Sequence, residues 1–224
     1  RDIETNLENP ESLITVLNDY YNTLDADGKE ALYKKLSEAT EKYYQEQAKK
    51  RQKTSISKIE LLDNGKLGDV TTGFVDGELL NQFSLDEDEQ GYLRVAVTYM
   101  DEEYKNNSGI VILDPSLEQY SLLDGLAQDE RIYSVRFMGD KVFLVTYRQV
   151  DPFFVIDLSD RKNPEVLGYL KIPGYSSYLH PISDTLILGV GQDTKQNEWG
   201  GVSTEGVKVS LFDVSDYSNP QEVA

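Results

Sequence analysis

The sequence of 224 residues contains no cysteine, and this absence removes several classes of function. Thiol catalysis, disulfide bonds and cysteine-based zinc sites are all excluded. There is also a single histidine, His180, so a histidine-pair metal site is excluded and Ser/His/Asp catalysis would depend on one imidazole. No G-x-S-x-G nucleophile elbow accompanies it. We therefore interpret His180, which precedes a proline, as a structural residue in a turn between two strands.

Long apolar runs are missing as well. No stretch approaches the roughly 18 consecutive apolar residues of a membrane-spanning helix, and residues 1–8 lack the apolar core of a signal peptide. Because the chain opens on Arg1, we expect a trimmed fragment whose targeting segment lies upstream. Neither a P-loop nor a G-x-G-x-x-G motif is present, so nucleotide binding has no support.

Basic residues are few in comparison with acidic ones. Lysine and arginine total 22 against 40 aspartates and glutamates, which gives a formal charge of -18. Such a field repels phosphate backbones and anionic lipid headgroups, so the sequence argues against a nucleic-acid partner. It favours cations, basic proteins or simply solubility.

The first fifty residues have a helical period. Asn9 and Pro10 form a cap followed by a first turn, and five apolar residues between Leu13 and Leu24 share one face. Asp27, with a glutamate three residues later, resembles a capping box and predicts the start of a second helix. We predict a helical hairpin over residues 1–53.

From Thr54 onward the pattern changes to short alternating strands between clusters of Gly, Asp, Asn and Pro. The clearest predicted strands are Ser55–Leu62, Leu93–Tyr99, Ile110–Leu113, Ile132–Phe137, Val142–Tyr147, Phe153–Leu158, Thr185–Val190 and Val207–Val214. None is followed by a convincing helix, so the alternation of a parallel sheet is missing. A sandwich, a barrel or a propeller remains.

An internal repeat decides among these folds. The segment from Val155 to Pro164 recurs from Leu211 to Pro220, and a weaker relative begins at Val111. Each copy predicts an inner strand that ends in Asp, a tight turn and an outer strand. Within the turn, Asp and Ser side chains can accept backbone N–H bonds, so we interpret these positions as structural.

Another strand pair precedes each of the two stronger copies, which gives four strands per unit. Four-stranded propeller blades run about 40–45 residues, so residues 54–224 correspond to about four blades, the last one incomplete. The predicted fold is therefore mainly β: blades of four-stranded antiparallel sheet, part of a larger propeller, with an N-terminal α-helical hairpin insertion.

Several long strings in the β region are distinctive: Leu80–Asp86, Gly91–Ala96, Glu130–Asp160 and Ile172–Pro181. They closely resemble a family of secreted or cell-surface C-terminal β-propeller domain proteins of archaea and some bacteria, whose function is uncharacterised. The resemblance implies a propeller and an extracellular or cell-surface location. It brings no catalytic residues to carry over, and it makes the helical hairpin an insertion before the blades.

Two polar segments are candidates for partner binding. The insert Asp193–Glu205 contains the sole tryptophan and would project from one face of a propeller, where binding loops lie. Its candidate contacts are Asn197, Glu198 and Trp199. A second candidate cluster at a strand end consists of Tyr147, Arg148, Gln149 and Asp151. Either segment could instead pack against its own or a neighbouring blade.

Acidic residues offer a candidate cation site. Asp86, Glu87 and Asp88 form a dense run, and calcium binds several carboxylate oxygens. The run lacks the glycine-punctuated spacing of an EF-hand, so a solvated loop is the simpler interpretation. Separately, the sequence from Asn106 to Ser108 fits a glycosylation acceptor, a short pattern of little weight.

The sequence therefore favours a non-catalytic extracytoplasmic binding or scaffold module for a protein or glycan partner. No cofactor other than calcium is suggested. Two alternatives remain: a carbohydrate-active enzyme that uses paired carboxylates, and a calcium-stabilised structural domain of the cell surface. The identity of the ligand and the oligomeric state stay open.

Overall fold

The computed structural model describes residues 10–51, 53–101, 103, 105–147, 151–196 and 202–224. The chain divides into two units, residues 1–51 and 52–224. The first unit holds helices α1 (Pro10–Thr23) and α2 (Ala26–Arg51), so the two predicted helices are confirmed. No helix within the described ranges is both long enough and apolar enough to cross a lipid bilayer.

Local chemistry sets the ends of the two helices. Pro10 occupies the first position of α1, where its fixed φ suits a helix and its missing N–H costs nothing. The capping-box pattern predicts that α2 starts at Asp27, and this prediction is wrong. The cap is Asp25, whose Oδ1 accepts a 2.9 Å hydrogen bond from the backbone amide of Gly28. Asp27 lies in the first turn, where a negative charge favours the helix dipole.

The second unit is built entirely from antiparallel sheets whose strands follow one another in sequence order. Sheet I has two strands, β1 (Lys53–Leu61) and β2 (Leu67–Asp76). Sheet II has four: β3 (Leu85–Glu87), β4 (Leu93–Met100), β5 (Asn106–Leu113) and β6 (Gln119–Leu126). A short 3-10 turn at Gln82–Ser84 precedes β3.

Sheets III and IV repeat the four-stranded meander. Sheet III contains β7 (Arg131–Met138), β8 (Lys141–Tyr147), β9 (Asp151–Asp157) and β10 (Glu165–Ile172). Sheet IV contains β11 (Tyr175–Pro181), β12 (Leu186–Gln196), β13 (Val202–Asp213) and β14 (Gln221–Glu222). The predicted mainly-β fold with four-stranded antiparallel sheets is confirmed.

The central strands of sheet III are buried on both faces. Along β8, Val142 and Leu144 belong to the core shared with sheet II, whereas Phe143 and Val145 belong to the core shared with sheet IV. Because alternate side chains point to opposite faces of a strand, both neighbouring sheets need apolar residues from β8. This explains why β8 reads as a continuous apolar run.

Sheets I and IV have one covered face each. Val75 of sheet I packs on sheet II, while Val70 and Phe74 on the opposite face are 61% and 60% exposed. On the outer face of sheet IV, Val207 and Val209 are 80% and 57% exposed. Among the described sheets, II and III are therefore covered on both faces and I and IV on one.

The contact between sheets III and IV provides a test of this packing. Phe153 is fully buried, and its ring stacks on that of Phe212 with centroids 4.6 Å apart. We expect Phe153→Ala to lower the free energy of unfolding by about 3–5 kcal/mol, because it leaves a cavity between two sheets. Urea denaturation would measure the loss.

A matched control for this variant is Tyr169→Ala on β10, where the side chain is 59% exposed. Its ring centroid lies 6.1 Å from that of Phe154, so the substitution loses one aromatic contact and should lower the free energy of unfolding by only about 1 kcal/mol. Equal losses in the two variants would contradict the packing described.

Candidate functional site

The second unit has two different ends. At one end, which we call the turn face, lie the connections 62–66, 88–92, 114–118, 139–140, 158–164, 182–185 and 214–220. At the other end, which we call the loop face, lie the remaining connections, of which the structure describes residues 77–81, 101, 103, 105, 127–130 and 173–174. Strands alternate in direction, so every second connection returns to the same face.

Aspartate side chains close the turn face. Asp157 accepts from the amide of Ser159 and Asp160 from that of Lys162, both at 2.9 Å. In the second copy of the repeat, Asp213 accepts from Ser215 at 2.9 Å. The prediction that the repeated aspartates accept backbone hydrogen bonds within turns is confirmed.

These hydrogen bonds favour the ionised carboxyl. The side chain of Asn163 and the backbone amide of Lys162 lower the pKa of Asp160. For Asp88, partial burial acts in the opposite direction, but the side chain of Arg161 and two backbone amides outweigh it, so the pKa is lowered. These carboxyls are therefore stabilised as anions in the folded state.

The three candidate calcium ligands each have a protein partner on or near the turn face. Asp86 pairs with Arg94, which lies opposite it on β4. Glu87 accepts from the Lys58 amine at 2.5 Å. Asp88 accepts from Arg161 Nε at 2.5 Å, and Arg161 belongs to the β9–β10 turn of the next sheet.

These partners give the acidic run a structural task. Asp88 ties sheet II to sheet III, and Arg94 does the same through a 2.7 Å bond from Nη1 to the carbonyl oxygen of Gly139. Within the described part of the chain, no group of three or more metal-ligating side chains is arranged to hold an ion. The calcium site stays a prediction.

A cleft of about 340 Å³ opens between sheets II and III at the loop face. It is lined by Glu78, Leu79, Leu80, Thr98, Arg131, Ile132 and Tyr133. The Arg131 guanidinium forms an ion pair with Glu78, and both side chains are more than half exposed. The backbone amide of Ile132 donates to Thr98 Oγ1 at 3.1 Å and joins the two sheets. The cleft thus combines apolar walls with one exposed charge pair.

One residue that lines the cleft, Tyr133, also belongs to a cluster of three tyrosines. Tyr133, Tyr147 and Tyr175 form a cluster in which every pair of rings is in contact, with centroids 5.4, 4.8 and 4.7 Å apart. Tyr133 is the extra residue of a β-bulge, because Ile132 pairs with Thr146 and Ser134 pairs with Val145. A bulge re-aims a side chain. We call these three residues the tyrosine cluster.

The structure places some of the residues that the sequence analysis selected. Tyr147 ends β8 inside the tyrosine cluster, and Asp151 begins β9 at the same face. The remaining candidates lie outside the described residues: Arg148, Gln149, Asn197, Glu198 and Trp199. Tyr133 and Tyr175 were missed as site residues, since only the bulge and the contact between sheets III and IV bring them to Tyr147.

The secondary structure predicted for two segments was wrong. His180 lies within strand β11, and its Nδ1 is 3.1 Å from the Tyr178 hydroxyl. Most of the polar insert Asp193–Glu205 is not a loop, because β12 and β13 continue through it and pair Thr194 with Thr204 and Lys195 with Ser203. The parts of β12 and β13 that lie within this insert are mostly polar, so their sequence resembles that of a loop.

The glycosylation pattern falls on a strand. Asn106 is the first residue of β5, and Ser108 is fully buried. In the folded chain the hydroxyl that such a pattern requires is therefore inaccessible.

The lowered pKa values on the turn face predict a response to acid. A carboxyl whose pKa is lower in the folded chain than in the unfolded chain stabilises the fold. The stabilisation is complete at pH values above the pKa of the unfolded chain, and it is lost as pH falls through the pKa of the folded chain. We therefore expect the melting temperature to fall as pH decreases below the ordinary aspartate value of 3.8.

The variant Asp88→Asn isolates one part of this response, because an amide cannot ionise. Its melting temperature should be lower than that of the unsubstituted chain at neutral pH and should fall less on acidification. Thermal unfolding over a pH series measures both. Parallel curves for the two proteins would show that Asp88 does not contribute.

The calcium hypothesis makes its own prediction. If Asp86, Glu87 and Asp88 bind calcium, a concentration of 100 times the Kd should stabilise the fold by about 2.7 kcal/mol, measured as a rise in melting temperature. Asp86→Asn should remove the rise, whereas Asp69→Asn, on exposed strand β2, should keep it. An unchanged melting temperature in millimolar calcium would contradict the hypothesis.

Comparison with known proteins identifies relatives of this chain. An uncharacterised protein of Methanocaldococcus jannaschii is 45% identical over 206 residues, which cover 91% of this chain and 31% of that protein. An uncharacterised protein of Archaeoglobus fulgidus is 46% identical over 183 residues, covering 81% of this chain and 26% of that protein. The chain thus spans less than a third of the relatives it matches.

A family model described as a β-propeller domain matches residues 9–224, which include both α-helices and all four sheets. The match agrees with the packed four-stranded antiparallel meanders and with the repeated turns. On this evidence the chain belongs to the β-propeller domain family.

Proposed function

We propose that the chain is a non-catalytic, extracytoplasmic binding module that presents its loop face to a protein or glycan partner. The observation that carries the proposal is the contrast between the two faces. Short aspartate-closed turns occupy the turn face, whereas the cleft and the tyrosine cluster lie at the loop face.

The chemistry of the loop face supports recognition of a ligand. Tyrosine combines a rigid apolar ring with a hydroxyl at small cost in conformational entropy, and tyrosine and arginine are enriched at binding hot spots. Tyr133 belongs to both the cleft and the tyrosine cluster, so it joins the concave surface to the aromatic one. Arg131 and Glu78 add a donor and an acceptor at the cleft wall.

The enzyme alternative asks for different chemistry. Glycoside hydrolysis uses two carboxyls across the scissile bond, one of which has a raised pKa. Every carboxyl pKa shift resolved among the described residues is downward, as for Asp101 at the loop face, whose pKa is lowered by the backbone amide of Lys105. No observation favours catalysis over binding.

The extracytoplasmic location rests on the resemblance to secreted and cell-surface propellers. A high negative charge is compatible with it, since such a charge keeps a protein soluble. Fractionation of the source cells, with immunodetection of the protein in the envelope and culture fluid, tests this part of the proposal. Recovery with the cytoplasm alone would overturn it.

The binding function is tested with a glycan microarray and a parallel overlay on separated cell-envelope proteins. We expect saturable binding to one class of target and a loss of at least about tenfold in Tyr133→Ala, the effect expected for a binding hot spot. Tyr120→Ala, at a half-exposed position of β6, is the matched control and should bind normally.

Two outcomes would contradict the proposal. One is an absence of binding to both sets of targets by a folded protein. The other is an equal loss in the two variants, which would show that binding does not use the loop face.

A further inference from the structure

A second cluster lies where the first strands of sheets III and IV meet the 3-10 turn before β3. Phe83 comes from that turn, Arg136 from β7, and Tyr178 and His180 from β11. These four residues, which we call the arginine cluster, share none of the residues that line the loop-face cleft.

Arg136 is held in place by its neighbours. Its guanidinium carbon lies 4.1 Å from the ring centroid of Phe83 and 5.5 Å from that of Tyr178, so the cation faces two aromatic rings. Its Nε donates to the carbonyl oxygen of Leu179 at 2.9 Å. The head group is therefore oriented before any ligand arrives.

Arg136 differs from the other arginines whose side chains the structure describes. Arg94, Arg131 and Arg161 each pair with a carboxylate. Among the described residues, Arg136 has no carboxylate within ion-pair distance, although the chain carries 40 acidic residues. Its Nη groups have no hydrogen-bond partner there and are not buried.

His180 and Tyr178 extend the donor set. The Tyr178 hydroxyl lies 3.1 Å from His180 Nδ1, and the two rings are stacked with centroids 6.0 Å apart. When the hydroxyl donates to Nδ1, the imidazole carries its proton on Nε2 and presents that N–H as a donor. Both side chains are exposed to solvent.

We propose that Arg136, Tyr178 and His180 form a binding site for a carboxylate-bearing ligand. A guanidinium presents two parallel N–H donors that match the two oxygens of a carboxylate, and its bonds to an anion are about twice as strong as neutral ones. The rings of Phe83 and Tyr178 fix the plane of the Arg136 guanidinium. The site lies apart from the loop-face cleft, so it goes beyond the proposed function.

The experiment is an NMR titration of the 224-residue chain with sodium glucuronate at constant ionic strength. Glucose is the uncharged control sugar, and acetate is the simple carboxylate. We expect saturable shifts at the Arg136 Nε–H and the His180 ring with glucuronate and none with glucose. Tighter binding of glucuronate than of acetate would identify an acidic sugar as the source of the carboxylate, and equal binding a small organic acid.

Variants distinguish this site from a general attraction of anions. Arg136→Gln should weaken glucuronate about tenfold or more, as expected for loss of a charge-assisted hydrogen bond. Lys171→Gln removes an exposed positive charge from β10 and should leave binding unchanged. A further variant, His180→Gln, keeps the hydrogen bond from Arg136 to Leu179 that joins sheets III and IV. It therefore tests the site even if Arg136→Gln does not fold.

The proposal is overturned if glucuronate and acetate give no saturable shift, if glucose binds as well as glucuronate, or if Lys171→Gln loses as much affinity as Arg136→Gln. It is also overturned if His180→Gln binds glucuronate with unchanged affinity and the Arg136 Nε–H resonance does not shift on titration. The variants separate this proposal from the proposed function, because a loss of binding in Tyr133→Ala reports on the loop face and a loss in Arg136→Gln reports on the arginine cluster.

Discussion

Burial of the central strands on both faces is the constraint on which the rest of the second unit depends. Strands such as β4, β5, β8 and β9 supply apolar side chains to two cores at once, one with each neighbouring sheet. The faces of sheets II and III are therefore committed to packing. Polar chemistry is left to the strand ends and to the edge formed by the first strands, which is where the cleft, the tyrosine cluster and the arginine cluster lie.

Local signals in the sequence predicted the helices, most of the longer strands and the repeated turns, but not β2 or the extension of β12 and β13 through Asp193–Glu205. The apolar runs gave the strands, and the aspartates of the repeat gave the closed turns, because both depend on residues close together in the chain. The candidate sites depend on contacts between sheets. Tyr133 and Tyr175 are 42 positions apart, and their contact requires the packing of sheets III and IV. No periodicity in the sequence reports a contact of this kind.

Acidic residues divide into those that build the turns and those that join the sheets. Asp160 and Asp213 hold their own turns, whereas Asp86 orients Arg94 and Asp88 reaches Arg161 of the next sheet. Part of the high negative charge is thus structural. Arg136 differs, because it also joins two sheets through its bond to Leu179 but has no carboxylate partner among the described residues.

The one-sided burial of sheets I and IV sets a gradient of stability along the second unit. In arrays of stacked units, each unit is stabilised mainly by its nearest neighbours. Within the 224 residues given, sheets II and III gain from two neighbours and sheets I and IV from one, so in this segment taken alone we expect backbone amides of sheets I and IV to exchange with solvent first. The loop-face cleft lies between sheets II and III, which have neighbours on both faces, and a surface that must keep its shape for a partner gains from that position.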